Sequence, residues 1–399
     1  MKAFNREPRL VSVILPSFDA GEYIQRTLES VLAQTYSNLE VLVVDDGSRD
    51  ETAAIVRKVA EGDPRVRLLQ QANAGVAAAR YHALREARGE FIAPIDADDI
   101  WFPRKIEKQL ERMMASDNSV GLVYTWVAII DGDGRIIEWS SHDFRGNALA
   151  DLTVANFIGS SSTPLIRHAC IDAVGGYDSR FKEQGAQGSE DWDFYLRIAE
   201  RYLFDVVPEF LVGYRQTPDS MSWQYTSMER SHALIMDGLR QRHPGLPERI
   251  FHWSLGNYCL YLRGKSYDKG RYGVSLRFLF RAVWHDPLRL LLPFVYSSFF
   301  KCLLRIAAWP FVRLIWKDHA SWSLFWSRIR RGTGREYSLQ ELPEHAKKPP
   351  RRRLFTMLHQ RRMARLKEEL AAWQPVPHGR NHADMPDGLY LAKLDQCQP

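Results

Sequence analysis

The sequence predicts an α/β protein, a mostly parallel mixed sheet flanked by helices and followed by a carboxyl-terminal helical appendage. Three observations carry that expectation. Short β-branched runs alternate with amphipathic stretches through the first hundred residues, the pattern of βαβ units. The runs end in polar or acidic residues, and open α/β sheets bind ligands just past the carboxyl ends of their strands. After about Ser222 the composition turns helical and aromatic.

The elements follow in order. Leu10–Pro16 reads as a buried strand closed by proline. Ile24, Leu28, Val31 and Leu32 recur at helical spacing within Glu22–Gln34. Leu39–Val44 is a second strand, ended by Asp45-Asp46-Gly47-Ser48, and Ser48-Arg49-Asp50-Glu51 has the form of a capping box. Val66–Gln70 is a third strand, Gly75–Ala87 an alanine-rich helix, and Phe91–Ile95 a fourth strand. Ile100-Trp101-Phe102-Pro103 should open a helix running to about Ala115. Val120–Ile130 is apolar and β-rich. Asp131-Gly132-Asp133-Gly134 after it lacks the terminal glutamate of a calcium loop and reads as a hairpin turn. Thr163–Ile166 is a further strand. His168–Val174 is a short helix stopped by Gly175-Gly176, and its His168 has no partner at metal-ligand spacing.

Bulk properties narrow the class. At 399 residues, 45% hydrophobic and 26% charged, the chain can bury more than one core. Its four cysteines form no C-x-x-C pair, which argues against a zinc site or disulfide framework and for a reducing compartment. The first apolar run is too short for a signal peptide. A net charge of +6 admits anionic partners without selecting one.

The chemistry concentrates at Phe91-Ile92-Ala93-Pro94-Ile95-Asp96-Ala97-Asp98-Asp99, an apolar strand running into three acids. At about 4 Å and an effective dielectric of about 20, each like-charged pair costs roughly 4 kcal/mol. A divalent cation removes that cost, and an all-oxygen ligand set suits Mg²⁺ or Mn²⁺. Read in isolation, the run fits a solvated acidic turn equally well. The other strand ends add Pro16-Ser17-Phe18-Asp19, Asp45-Asp46-Gly47-Ser48 and Asn73-Ala74-Gly75. Together these offer a stacking ring, an acceptor for a pyrimidine N–H, a glycine-bearing helix entry and a metal candidate, which is what a nucleoside diphosphate needs. Neither the P-loop nor the dinucleotide-binding fingerprint is present.

These blocks resemble the family 2 glycosyltransferases, which have a GT-A (Rossmann-like) fold. The resemblance rests on Val11–Phe18, Leu28–Tyr36, Val43–Thr52, Asn73-Ala74-Gly75 with Arg80, and Asp96-Ala97-Asp98-Asp99, and it spans roughly residues 9–220. It implies that Pro16 and Phe18 lie at the base pocket, Asp46 binds the base, Asp96 faces ribose or metal, and Asp98 holds Mn²⁺ or Mg²⁺. Asp19, Asn73, Gly75, Arg80 and Ala97 complete the implied nucleotide-sugar site. Phe18 as a core aromatic and Arg80 as a solvated helix residue stand as simpler alternatives.

Ser189-Glu190-Asp191 opens a second chemical block. By itself it reads as a capped helix with acids at its positive end. The resemblance makes it an acceptor-facing pair, with Asp191 the catalytic base and Glu190 beside it. A sugar hydroxyl is a poor nucleophile, and general-base assistance is worth about 10²–10⁴ in rate.

The sequence departs from the family twice. Thr217 stands where many relatives have a histidine after Tyr214-Arg215, and the Gln-x-x-Arg-Trp block of processive synthases is absent. The implied activity is therefore a non-processive, inverting transfer from a nucleotide sugar, with a UDP-linked donor expected. The acceptor would be a glycan or lipid-linked molecule in cell-surface polysaccharide or glycoconjugate assembly. A non-catalytic scaffold with the same fold is the alternative.

The expected organisation is a catalytic domain over residues 1–222, a helical region over 223–330 and a basic, partly disordered tail over 331–399. Tyr258–Arg263 and Tyr267–Trp284 resemble a helix-turn-helix pair. Between Arg289 and Lys301 lie eleven uncharged residues interrupted by Pro293, too few to span a bilayer. Lys301, Arg305, Arg313 and Lys317 then recur at multiples of four, and Trp309, Trp316, Trp322 and Trp326 add interfacial aromatics. Residues 288–326 thus suit a helix lying in a membrane surface, or else a globular helix with a basic face. The expected location is cytoplasmic, peripheral at the inner face of the cell membrane. Lys347–Arg353 is the densest basic run, with no nucleic-acid motif beside it, and Leu354–Trp373 can form an amphipathic helix.

Overall fold

A computed structural model describes residues 6–217, 223–312 and 354–370. Its strands are β1 (Glu7–Ser17), β2 (Leu39–Asp45), β3 (Val66–Gln70), β4 (Gly89–Pro94), β5 (Ile100–Trp101), β6 (Val120–Ile130), β7 (Ile136–Ser140), β8 (Leu165–Arg167) and β9 (Leu203–Arg215). The helices of the first half are α1 (Ile24–Leu32), α2 (Thr52–Gly62), α3 (Val76–Glu86), α4 (Lys105–Met114), α5 (Leu149–Val154), α6 (His168–Val174), α7 (Arg180–Glu183) and α8 (Glu190–Ala199). After them come α9 (Tyr225–Arg242), α10 (Glu248–Asp268), α11 (Tyr272–His285), α12 (Pro293–Val312) and α13 (Leu354–Leu370).

The strands form one mixed sheet in the order β3-β2-β1-β4-β8-β6-β9-β5, with β7 added beside β6. β3, β2, β1 and β4 are parallel, the consequence of the predicted βαβ crossovers. β8 runs antiparallel to both β4 and β6, so the sheet is less uniformly parallel beyond β4. Side-chain alternation divides the apolar residues between two faces. Val11, Val13 and Leu15 pack with Ile24, Val56 and Ile106 of α1, α2 and α4. Ile14, Leu42 and Val44 face α3 and α8 on the other side.

That second core does not stop at the sheet. Ile235 of α9, Ile250 and Leu262 of α10 and Phe278 of α11 belong to the same buried cluster as Ile14 and Leu152. The helical region therefore shares an apolar core with the sheet. Helix α13 docks on it too: Arg362 donates to both oxygens of buried Asp286 at 2.7 and 2.8 Å, and Lys367 reaches Asp151 at 2.5 Å. Trp373, Arg313, Lys317, Trp316, Trp322, Trp326 and the Lys347–Arg353 run lie outside the described residues, as does most of the expected tail.

Several local expectations change. Helix α2 is not opened by a capping box. Asp50 Oδ1 accepts from the Thr52 N–H at 3.0 Å, while Ser48 Oγ accepts from the Asp19 N–H at 3.0 Å. Ile100 and Trp101 do not start a helix but pair with Gly213 and Val212 of β9. This cross-strand pairing overrides the helix signal of Pro103. The acidic hairpin is a turn, with Asp131 Oδ1 accepting from the N–H groups of Asp133 and Arg135 at 3.0 and 2.9 Å. Pro293 opens α12 rather than interrupting a helix, since its missing N–H would be unpaired there in any case. Among the described residues no helix is long and apolar enough to cross a membrane.

Candidate active site

A cavity of about 1060 Å³ opens at the carboxyl ends of β1, β2 and β4 and is closed on its far side by α8 and α10. Every site residue expected from the sequence lines it: Pro16, Phe18 and Asp19 after β1; Asp46 after β2; Asn73, Gly75 and Arg80 around the start of α3. Asp96, Ala97 and Asp98 follow β4, and Glu190 and Asp191 begin α8.

The expected base pocket is built by backbone contacts. Asp46 Oδ1 accepts from Gln71 Nε2 and the Ala74 N–H, both at 2.8 Å, and Oδ2 accepts from the Gly75 N–H at 2.7 Å. A carboxylate has about four acceptor positions, so one is left for a ligand N–H. Gly75 makes this loop possible. Its φ is +92°, and a Cβ there would lie 2.8 Å from Lys182 Cδ. Lys182 in turn donates to the Asn73 carbonyl at 3.0 Å and to its Oδ1 at 2.5 Å. On the opposite lip Phe18 is 44% exposed, so the core-aromatic alternative fails. The Arg49 guanidinium lies 5.5 Å from the Phe18 ring centre and pairs with Asp19 at 2.5 Å.

The three acids have separate partners. Asp96 forms an ion pair with Arg80 and accepts from Ser161 Oγ, and its N–H donates to Ser162 Oγ at 3.0 Å. Arg80 is not a solvated helix residue. It is buried, donates to Ser161 Oγ at 3.0 Å and lies 5.2 Å from the Tyr177 ring centre. Asp99 fastens the turn. It is fully buried and accepts from Ser162 Oγ at 2.5 Å and from the Arg215 N–H at 2.9 Å. Burial first, then Asp98 and Asp96, push its carboxyl well above the usual range. Asp98 is held through its backbone, its carbonyl accepting from Arg215 Nε at 2.8 Å. Burial and the neighbouring Asp96 carboxylate push the Asp98 carboxyl up to about 7.

A divalent cation fits this chemistry, because the buried Asp98 carboxyl lies close enough to Asp96 to be repelled by it, with Arg215 offsetting that only in part, in a cavity lined by further carboxylates and hydroxyls. The protein's donor set is small. No group of three or more His, Cys, Asp or Glu side chains is arranged to hold a metal among the described residues. Thr217, at the position where a histidine was sought, lines the same cavity. His168 is structural, its Nδ1 lying 2.9 Å from the Gly89 carbonyl oxygen.

Across the cavity, Ser189 does not cap α8 through its side chain. Its Oγ lies 3.2 Å from the Tyr258 hydroxyl, while Glu190 Oε2 accepts from the Gly188 N–H at 3.0 Å. Asp191 Oδ1 accepts from the Trp192 N–H at 2.9 Å. Burial pushes the Asp191 carboxyl up to about 6, with Arg80 opposing the rise and Glu190 and Asp96 adding to it. A carboxylate with that affinity is suited to take a proton near neutral pH.

Sequence reasoning missed Ser161, Ser162, Lys182 and Arg215. Arg215 is buried, and its Nη1 donates to the carbonyls of Asp131 and Gly132 at 2.7 and 2.8 Å. It thereby joins the acidic turn to the hairpin. The signal available was the unbroken Ser160-Ser161-Ser162-Thr163 run before a strand, an unusual cluster of small hydroxyls.

Comparison with known proteins shows what the chain is similar to. Residues 12–174 match the model of the family described as glycosyl transferase family 2. A putative teichuronic acid biosynthesis glycosyltransferase of Bacillus subtilis is 39% identical over 134 residues, covering 33% of this chain and 52% of that protein. The hyaluronan synthase of Pasteurella multocida is 37% identical over 196 residues, 49% of this chain and 19% of that one. The chain thus spans about half the length of the first of these relatives and a fifth of the second. Among solved structures, residues 1–349 of Staphylococcus aureus TarS in complex with UDP-GlcNAc superpose with a TM-score of 0.50 at 17% identity. The alignment covers 74% of this chain and 89% of that one, and it shows a shared fold.

Proposed function

We propose that the chain is a family 2 glycosyltransferase that transfers one sugar from a nucleotide sugar, UDP-linked, to a hydroxyl of a glycan or lipid-linked acceptor with inversion. The observation that carries this reading is the meeting of two carboxylate groups, Asp96-Asp98 and Glu190-Asp191, in one cavity. Phe18 would stack on the base, and Asp46 would accept from its N–H. Asp96, oriented by Arg80 and Ser161, would contact the ribose. Asp98 would hold a Mn²⁺ or Mg²⁺ ion, which supplies positive charge against the diphosphate when bound.

Asp191 would take the acceptor proton as the hydroxyl attacks the anomeric carbon from the side opposite the diphosphate. The new glycosidic bond then forms as the bond to the diphosphate oxygen breaks. One displacement inverts the centre and requires no carboxylate nucleophile. Glu190, buried and raised above its usual range by that burial, would keep the Asp191 carboxylate in a water-poor setting. Names of relatives that include hyaluronan and teichuronic acid biosynthesis support a role in polysaccharide assembly.

The reading extends to a membrane surface. Trp284 is 83% exposed and Phe311 73%, and Phe280, Phe300 and Leu304 are also exposed on α11 and α12. So large an apolar exposure is unusual for a face turned to water. Exposed Lys301 lies on the same helix, and each such cation near anionic lipid adds about 1 kcal/mol. Attachment is tested by flotation with phosphatidylglycerol vesicles. Recovery of the full chain in the vesicle fraction is expected, and its loss in Phe300→Ser/Leu304→Ser. Equal flotation of that variant overturns the membrane reading.

The transferase reading is tested with a panel of nucleotide sugars. Turnover is expected with one of them in Mn²⁺ or Mg²⁺ and should cease in EDTA. Binding of a nucleotide sugar without any turnover would point to a scaffold.

A further inference from the structure

We propose that Lys367, on the tail helix α13, is a positioning residue for Asp191: it fixes α5 through Asp151, and α5 fixes the carboxylate through Trp192. This rests on the reading of Asp191 as the base. Helix α13 lies far beyond residues 12–174, the segment matched to the family.

A chain of contacts joins the tail to the reacting group. Lys367 Nζ lies 2.5 Å from Asp151 Oδ2 on α5. At the next residue of α5, the Leu152 carbonyl accepts from Trp192 Nε1 at 2.8 Å. The Trp192 N–H in turn donates to Asp191 Oδ1 at 2.9 Å. The rings of His232 and Tyr258 flank the Trp192 ring, with centroids 5.5 and 5.7 Å away. They hold its faces, and the bond to Leu152 sets the direction of its edge. Val154 and Ala155 at the end of α5 line the cavity, as does Trp192. A shift of α5 is therefore a shift of the wall beside Asp191.

The contact at Asp151 is the one the tail controls. Asp151 is 8% exposed, and burial pushes its carboxyl above the usual range while Lys367 opposes the rise. A buried carboxylate stripped of its partner is strongly disfavoured. Deprived of the ammonium it is drawn toward water, and α5, only six residues long, turns with it. The rest of α13 brings the lysine into place. Met363 and Leu366 are buried in the same apolar cluster as Leu152 and Trp192. Arg362 bonds both oxygens of Asp286 and lies 4.3 Å from the Trp253 ring centre. Arg249 and Glu369 also pair across this junction, but at the surface, where an ion pair contributes little.

The test uses the full chain, isotope-labelled at its tryptophan indole nitrogens for NMR, with the Trp192 signal identified by its loss in Trp192→Phe. Steady-state turnover of the nucleotide sugar found in the panel is measured alongside. Lys367→Met keeps the stem and removes the charge. It should displace the Trp192 indole signal and lower kcat about tenfold, inside the roughly 10²-fold loss that a misplacement of about 1 Å can cause. KM for the nucleotide sugar should stay within about twofold of the parent, because the loss falls on the reacting geometry and not on donor binding. Asp151→Asn should do the same from the other side of the pair. Lys367→Arg should restore both readouts, and Glu369→Gln should change neither. An unmoved Trp192 signal in both Lys367→Met and Asp151→Asn overturns the proposal, as does a parental kcat in both. A parent chain that turns over no nucleotide sugar strikes the transferase reading instead, and the indole signal still decides whether Lys367 holds α5.

Discussion

Replacing Arg80 with methionine would separate the two tasks assigned to this side chain. Arg80 is buried in an ion pair with Asp96, and its guanidinium lies against Tyr177. Methionine keeps an apolar stem beside the ring and removes the charge. Breaking a fully buried pair costs about 3–5 kcal/mol. The Asp96 side chain is 29% exposed, so water can recover part of its solvation, and about 2–3 kcal/mol is the expected loss. Urea unfolding of parent and variant at pH 7 measures it. The same change acts on Asp191, whose rise in pKa Arg80 opposes. Without that cation the Asp191 carboxyl binds its proton more tightly, so the acid limb of the pH–rate profile should move to higher pH. A variant within about 0.5 kcal/mol of the parent, the usual range of a surface substitution, with an unmoved acid limb, would refute the reasoning that Arg80 links the two carboxylate groups.

Three further outcomes follow from the same structure. Because Asp191 must be ionised to accept a proton and its carboxyl is pushed up to about 6, kcat/KM should fall as pH drops through about 6; the limb should disappear in whatever activity Asp191→Asn retains. Gly75→Ala places a Cβ 2.8 Å from Lys182 Cδ at a φ of +92°. It should cost about 1–3 kcal/mol of strain and weaken UDP binding measured by calorimetry. Lys105 is fully buried against the Trp101 ring at 4.0 Å, and burial holds its ammonium well below the usual lysine range. The folded state therefore disfavours a proton that the unfolded chain binds below about pH 10.4, so the penalty grows as pH falls from there. Lys105→Met should stabilise the protein, with a larger gain in urea at pH 6 than at pH 9.

The part of the cavity lining proposed for the donor was legible in the sequence because its residues sit at strand ends, where a break in hydrophobic pattern marks them. Asp46, Gly75 and Asp98 each follow an apolar run within a few residues, so local reading sufficed. The fold followed from the same alternation through β4. The sequence reading did not show how Asp96 and Asp99 are satisfied. Their partners Ser161, Ser162 and Arg215 are 65, 63 and 116 residues away in the chain, and no periodicity connects them. The helix expected at Ile100 failed because a two-residue pairing with β9 outweighs local propensity once the sheet is assembled.

The central claim is that Asp191 is the base in a direct transfer across the cavity. It is tested most directly by following sugar transfer from a nucleotide sugar in the parent and in Asp191→Asn at saturating Mn²⁺, with donor affinity measured in parallel. The account predicts that the variant binds donor within about twofold of the parent while transfer falls by about 10²–10⁴, the worth of general-base assistance. Transfer at the parent rate in Asp191→Asn would contradict it.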